Sequence, residues 1–172
     1  AEGIEANVAT GYHAIEFLLW GQDLNGNNSG NGIRPASDYD IENCTHSNCV
    51  RRAQYLKAAV DLLVQDLEEM VSYWTDSGKA TLMLKNNYSL AMSSILMGMG
   101  SLSYGELAGE RMQLGLYLND PEEEHDCFSD NTHNSHYYNQ VGISNIYYAN
   151  YKRINGNEIN GYSLSDFMQN TN

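Results

Sequence analysis

An all-α fold, a bundle of long up-and-down helices joined by long polar loops, is what this sequence predicts. Three observations carry it. Apolar residues repeat at spacings of three and four over two long stretches, the segments between are rich in Gly, Asn and Asp, and no stretch alternates apolar and polar residues as a half-buried strand does. At 172 residues the chain suits one domain of ordinary size with a substantial core.

The first helix is centred on Gly11-Tyr12-His13-Ala14-Ile15-Glu16-Phe17-Leu18-Leu19-Trp20-Gly21-Gln22-Asp23. On a wheel of about 3.6 residues per turn, Ile4, Val8, Ile15, Leu18 and Leu19 fall on one side and His13, Glu16, Phe17 and Trp20 on roughly the other. A helix apolar on two faces belongs between layers, which puts His13 and Glu16 where an unpartnered polar group is costly. Positions i and i+3 share a face, so the two side chains can reach one metal ion or one proton. Spacing alone leaves the second reading open, a satisfied core pair. The pattern ends at Gly21, and residues 22–43, with Gly26, Gly30, Gly32 and Pro35 among many Asn and Asp, read as a long loop without a helix of its own.

A long helix begins near Asn48. Ala53, Leu56, Val60, Leu63, Leu67, Met70 and Trp74 form the a/d seam of a bundle, and the helix stops near Asp76-Ser77-Gly78, where Gly supplies a cap. The next helix runs from about Thr81 to Leu118 through Leu84, Ala91, Ile95, Leu102 and Leu107. Gly98, Ser101, Gly105 and Gly109 make a stripe of minimal side chains along it. Each helical glycine costs about 1 kcal/mol relative to Ala, which close approach of a neighbouring helix or a ligand would offset. Glu106 and Glu110 flank the stripe with Arg111 beside Glu110, an arrangement that suits a surface charge cluster and an inward-facing carboxylate equally.

Asp120 as N-cap, Pro121 at the first helical position and Glu123 at the third make a capping-box arrangement, which accounts for Glu122 to Glu124 without any function. It does not account for Ser129-Asp130-Asn131-Thr132-His133, where a second carboxylate and imidazole stand three apart. Oxygen and imidazole together suit zinc, iron or copper. Residues 137–151 return to helical spacing, and Ser163-Leu164-Ser165-Asp166-Phe167 reads as the capped start of a final helix.

A net charge of −13 with only nine Lys and Arg argues against nucleic acid, whose binding depends on neutralising phosphates, and disfavours anionic lipid. A cation is the more natural small partner, while for most of these charges the simpler reading is a solvated acidic surface. No run approaches the roughly 18 apolar residues of a membrane span. Without an initiator Met or a signal-like stretch, the chain reads as a mature or trimmed segment. Cys44 and Cys49 bracket a short Asn-rich turn that a disulfide would staple in an oxidising compartment; the other reading is two thiols at a helix start, and Cys127 is left over.

Four motifs in order resemble the imelysin family: Gly11 to Asp23; Arg51-Arg52-Ala53-Gln54-Tyr55-Leu56; Gly98-Met99-Gly100-Ser101-Leu102 with Gly105 to Met112; and Asp120 to His125 with Cys127 to His133. The resemblance covers nearly all of residues 1–172 and implies the central segment of a longer, all-α protein, with helical stretches missing on both sides. It implies the bacterial periplasm or the outer-membrane surface, a link to iron acquisition, and an alternative history as a peptidase. The family's G-x-H-x-x-E motif falls on Gly11, His13 and Glu16. The chain departs from the pattern as we know it after Asn131-Thr132-His133, where Asn134-Ser135 follow in place of an acidic residue.

The expected site is therefore a metal centre drawn from His13, Glu16, Glu110, Asp130 and His133, the last three assigned from residue chemistry. Its cofactor is a divalent or ferric ion, iron first, with zinc and copper as alternatives, and its other partners would be components of an iron-uptake system. A metallopeptidase using the same His/Glu pair is the second reading, although the H-E-x-x-H element of zincins is absent from the chain. A non-catalytic helical interaction module is the third.

Overall fold

The computed structural model describes residues 9–170, apart from the Glu122 side chain; Ile4 and Val8 of the first apolar stripe lie outside the described residues. The chain is all-α with one small hairpin, and it divides into two compact units. The first holds residues 9–93 together with Asp126–Asn131, and the second Ser94–His125 together with residues 132–170.

In the first unit, helix α1 (Tyr12–Trp20) lies against helix α2 (Cys49–Tyr73), with Ala14 and Leu18 buried. Helix α3 (Lys79–Asn86) packs against α2 as well. The expected seam of α2 is covered in part: Ala53, Leu56 and Leu63 are half-buried, whereas Val60, Leu67, Met70 and Trp74 are exposed. Length accounts for the exposed C-terminal part. At about 1.5 Å per residue, the nine residues of α1 run along little more than a third of the 25 in α2.

The loop between α1 and α2 is ordered by a buried carboxylate. Asp38, 2% exposed, sits in a 3₁₀ turn (Ala36–Tyr39) and receives Nη1 of Arg34 at 3.0 Å and Nδ1 of His46 at 2.7 Å, with Arg52 Nη1 3.8 Å away. Arg52 also donates to the backbone oxygens of Asp38 and Ser47. Cys44 and Cys49 form a disulfide across this turn, which answers the choice the sequence left open, while Cys127 is buried as a thiol.

The helix expected from Thr81 to Leu118 is broken at Asn87 (φ −146°, ψ 86°) into α3 and helix α4 (Tyr88–Gly100). Asn87 acts as a cap, its Oδ1 accepting from the Leu90 N–H at 3.0 Å. Beyond α4 the chain widens into a π-helix (Ser101–Gln113) and then narrows again into helix α5 (Leu114–Leu118). The i, i+5 pairing of Arg111 Nη2 with Glu106 Oε2 at 2.9 Å matches the wider turn. Among the described residues no neighbouring helix closely approaches the glycine stripe. A Cβ at Gly98, Gly100 or Gly105 would meet nothing within 4 Å, and one at Gly109 would meet the Tyr104 carbonyl of its own helix at 3.3 Å.

After a 3₁₀ turn at Pro121–Glu123, helix α6 (Thr132–Tyr148) leads to a hairpin of β1 (Asn150–Lys152) and β2 (Glu158–Asn160), antiparallel with Tyr151 opposite Ile159. Its strands are too short to show a period-2 pattern; Asn155-Gly156 in the turn, with Gly156 at φ 85°, was the available sign. The final helix α7 (Leu164–Asn170) opens on the expected cap, Ser163 Oγ accepting from the Asp166 N–H at 2.9 Å and Asp166 Oδ2 from the Ser163 N–H at 3.0 Å.

Two predictions follow from these locks. Burial pushes the Asp38 carboxyl up, but the hydrogen bonds from His46 and Arg34 and the charges of His46 and Arg52 outweigh it and hold the group below its ordinary value. The unfolded chain then binds more protons than the folded one below about pH 3.9, so the contribution of Asp38 is complete above that pH and is lost as pH falls through the folded-state value. A thermal melt series in acid is expected to show this fall, shallower in Asp38→Asn, whose midpoint is already lowered at neutral pH. The disulfide closes a loop over a sequence separation of 5, for which chain entropy gives about 2 kcal/mol. Urea unfolding with and without reductant should recover a difference of that order.

Candidate metal centre

Two glycines frame α1. Gly11 (φ 86°) stands at its N-cap and Gly21 (φ 80°) at its C-cap, where the Gly21 N–H donates to the Phe17 carbonyl at 2.8 Å. Both conformations are left-handed, so the motif's glycines set where the helix starts and stops. His13 and Glu16 project from its first turns. His13 Nδ1 lies 3.2 Å from Glu16 Oε2, with Glu16 buried and the imidazole 39% exposed.

The second wall is the short segment Asp126–Asn131. Asp126 Oδ1 lies 3.6 Å from His13 Nδ1, and Ser129 donates twice to Glu16 Oε1, from its amide at 2.9 Å and its hydroxyl at 2.5 Å. The segment is held from both sides. The Gly32 N–H donates to the Phe128 carbonyl at 2.8 Å, and the Phe128 ring meets Phe17 edge-on with centroids 5.1 Å apart. A Cβ on Gly32 would stand 2.4 Å from the Trp20 carbonyl, so only glycine lets this loop pass between α1 and the segment.

Arg34 completes the support. Its N–H donates to the Trp20 carbonyl at 2.9 Å, its Nη2 reaches the Phe17 carbonyl at 3.4 Å, and its guanidinium lies 5.6 Å from the Phe17 ring centroid. The guanidinium thus reaches the Phe17 carbonyl in the last turn of α1 through Nη2 and Asp38 through Nη1, while the backbone N–H of Arg34 takes the Trp20 carbonyl. The two faces of α1 are covered only in part: Ala14 and Leu18 are buried on one and Glu16 on the other, against the segment that carries Asp126 and Ser129, whereas Phe17, Leu19 and Trp20 are exposed.

The donor chemistry fits a cation. Bonds of about 2.1 Å at tetrahedral or octahedral angles set neighbouring ligand atoms about 3 to 3.5 Å apart. Oε2 of Glu16 stands 3.2 Å and Oδ1 of Asp126 3.6 Å from Nδ1, so each carboxylate by itself makes a nitrogen–oxygen donor pair with the imidazole near that spacing. With the imidazole protonated at Nδ1, the same atoms make a hydrogen bond to Glu16. Among the described residues, Glu16 faces the neutral donors of Ser129 and one imidazole, with no guanidinium or ammonium group.

Of the residues expected from the sequence, His13 and Glu16 are brought together. Asp130 belongs to the same segment as Asp126, half-buried and at φ 55°. Glu110 on the π-helix and His133 in the first turn of α6 are exposed and belong to the second unit. Asp126 and Ser129 were missed. They flank Cys127-Phe128, and an apolar pair that must be buried carries its polar neighbours inward with it.

The Imelysin family model, a peptidase family designated M75, matches residues 1–172. No match to the chain is found among curated proteins. The motif glycines that bound α1, the paired His13 and Glu16, and a family match over the whole sequence agree: the chain belongs to the imelysin family.

Proposed function

We propose that this chain binds a transition-metal ion, iron first, in metal uptake or handling in the bacterial periplasm or at the outer-membrane surface. The observation that supports the reading best is the His13 nitrogen flanked by a carboxylate oxygen of Glu16 at 3.2 Å and one of Asp126 at 3.6 Å. Nitrogen with carboxylate oxygen suits iron and zinc better than the soft thiolate-seeking ions. Asp130, Glu110 and His133 remain proposed ligands, and His125, one residue before Asp126 in the chain, joins them as an imidazole to test. Iron, the compartment and the uptake role come from the family resemblance. Among the described residues no helix is long and apolar enough to cross a membrane.

The peptidase designation of the matched family supports a second reading, a metallopeptidase built on the same pair. It requires a carboxylate base beside a bound water.

Equilibrium dialysis against iron(II), iron(III) citrate, zinc and copper is expected to show one tightly held ion, with affinity at least tenfold lower in His13→Ala, Glu16→Ala and Asp126→Ala. Unchanged stoichiometry and affinity in all three would defeat the proposal and leave the pair as a core buttress. Chelator-sensitive cleavage of casein would move the reading to the peptidase.

A further inference from the structure

We propose that Ser129 is a positioning residue of this centre: by satisfying Oε1 of Glu16 twice, it turns the carboxylate so that one oxygen, Oε2, is offered beside His13. The inference rests on the reading of the site as a cation centre. A glutamate side chain is flexible, and its carboxylate ordinarily rotates between one-oxygen and two-oxygen ligation. Here that rotation is blocked. The amide and hydroxyl of Ser129 both donate to Oε1, at 2.9 and 2.5 Å, so turning the carboxylate breaks two hydrogen bonds at a buried group.

The donors are themselves fixed. The Ser129 amide follows the Phe128 carbonyl, which accepts from the Gly32 N–H at 2.8 Å, and the Phe128 ring is seated on Phe17, one residue past Glu16. The serine therefore reports its position back to the helix that carries the ligand. Hydrogen bonds of this kind orient ligating carboxylates, and their removal commonly weakens metal binding about 10–100-fold. Alanine removes the hydroxyl donor and keeps the amide; threonine keeps both.

Two measurements test it on the whole chain. In the metal-free, ¹⁵N-labelled protein, the Ser129 amide resonance is expected well downfield and to move in Glu16→Gln; an unmoved resonance overturns the proposal without reference to any metal. With cobalt(II) as the probe, Ser129→Ala should bind about 10–100-fold more weakly, with altered visible bands, while Ser129→Thr stays within threefold of wild type. If wild type and Ser129→Ala bind cobalt(II) alike with the same spectrum, the positioning role is overturned and the cation centre stands. If the wild-type chain binds no cobalt(II), iron(II) or zinc although the Ser129 amide responds to Glu16→Gln, the cation reading itself fails, the positioning role falls with it, and the serine is a structural clamp only.

Discussion

A carboxylate that has left water must find donors, and the burial of Glu16 is the constraint on which the arrangement around α1 depends. One side of the helix is closed with Ala14 and Leu18 inside. Donors for Glu16 therefore have to arrive on the other side, and they come from Ser129, 113 residues further along the chain. Bringing that segment to α1 sets further requirements: Gly32 without a side chain beside the Trp20 carbonyl, Phe128 against Phe17, and Arg34 over the end of the helix. Each is a consequence of satisfying one buried group.

Asp38 shows the same problem solved in the opposite way. Two guanidinium groups and an imidazole surround it, so its charge is neutralised within the protein and its carboxyl is held below the ordinary range. Such a cluster is a lock, and it joins the loop after α1 to the start of α2. Glu16 receives neutral donors and one imidazole, and a second carboxylate, Asp126, approaches that same imidazole. Two carboxylates converging on one ring nitrogen attract a cation, whereas a carboxylate between two arginines has no need of one. The proposed cation centre draws on this contrast within one unit.

What the sequence disclosed follows the range of the interaction. The all-α class, α2 from its seam and the Ser163/Asp166 cap of α7 were legible because each is decided by residues a few positions apart. His13 and Glu16 were legible as a pair for the same reason, both on one helix at i, i+3. Asp126 and Ser129 were not, since nothing local tells a polar residue in a loop which distant helix it will meet. Asn87 was passed over because an apolar period continues across it, although asparagine caps helices well. Gly98, Ser101, Gly105 and Gly109 invited the idea of a close neighbour; the last three lie in the widened helical turn Ser101–Gln113, which the apolar spacing did not announce. The seam of α2 named the right face but not how far along it a nine-residue partner would extend.

The distribution of carboxylates also bears on binding against hydrolysis. A hydrolytic centre keeps one carboxylate off the metal, within hydrogen-bond reach of the attacking water. Helix α1 supplies one imidazole and one carboxylate, and Glu16 already gives Oε1 to Ser129. With Oε2 serving as a ligand and Oε1 held by Ser129, the Glu16 carboxylate is committed at both oxygens, and a base has to come from another side chain. Holding and releasing a cation needs no base. It needs donors that converge and a side open to solvent, and the imidazole of His13, 39% exposed beside the buried Glu16, provides that opening.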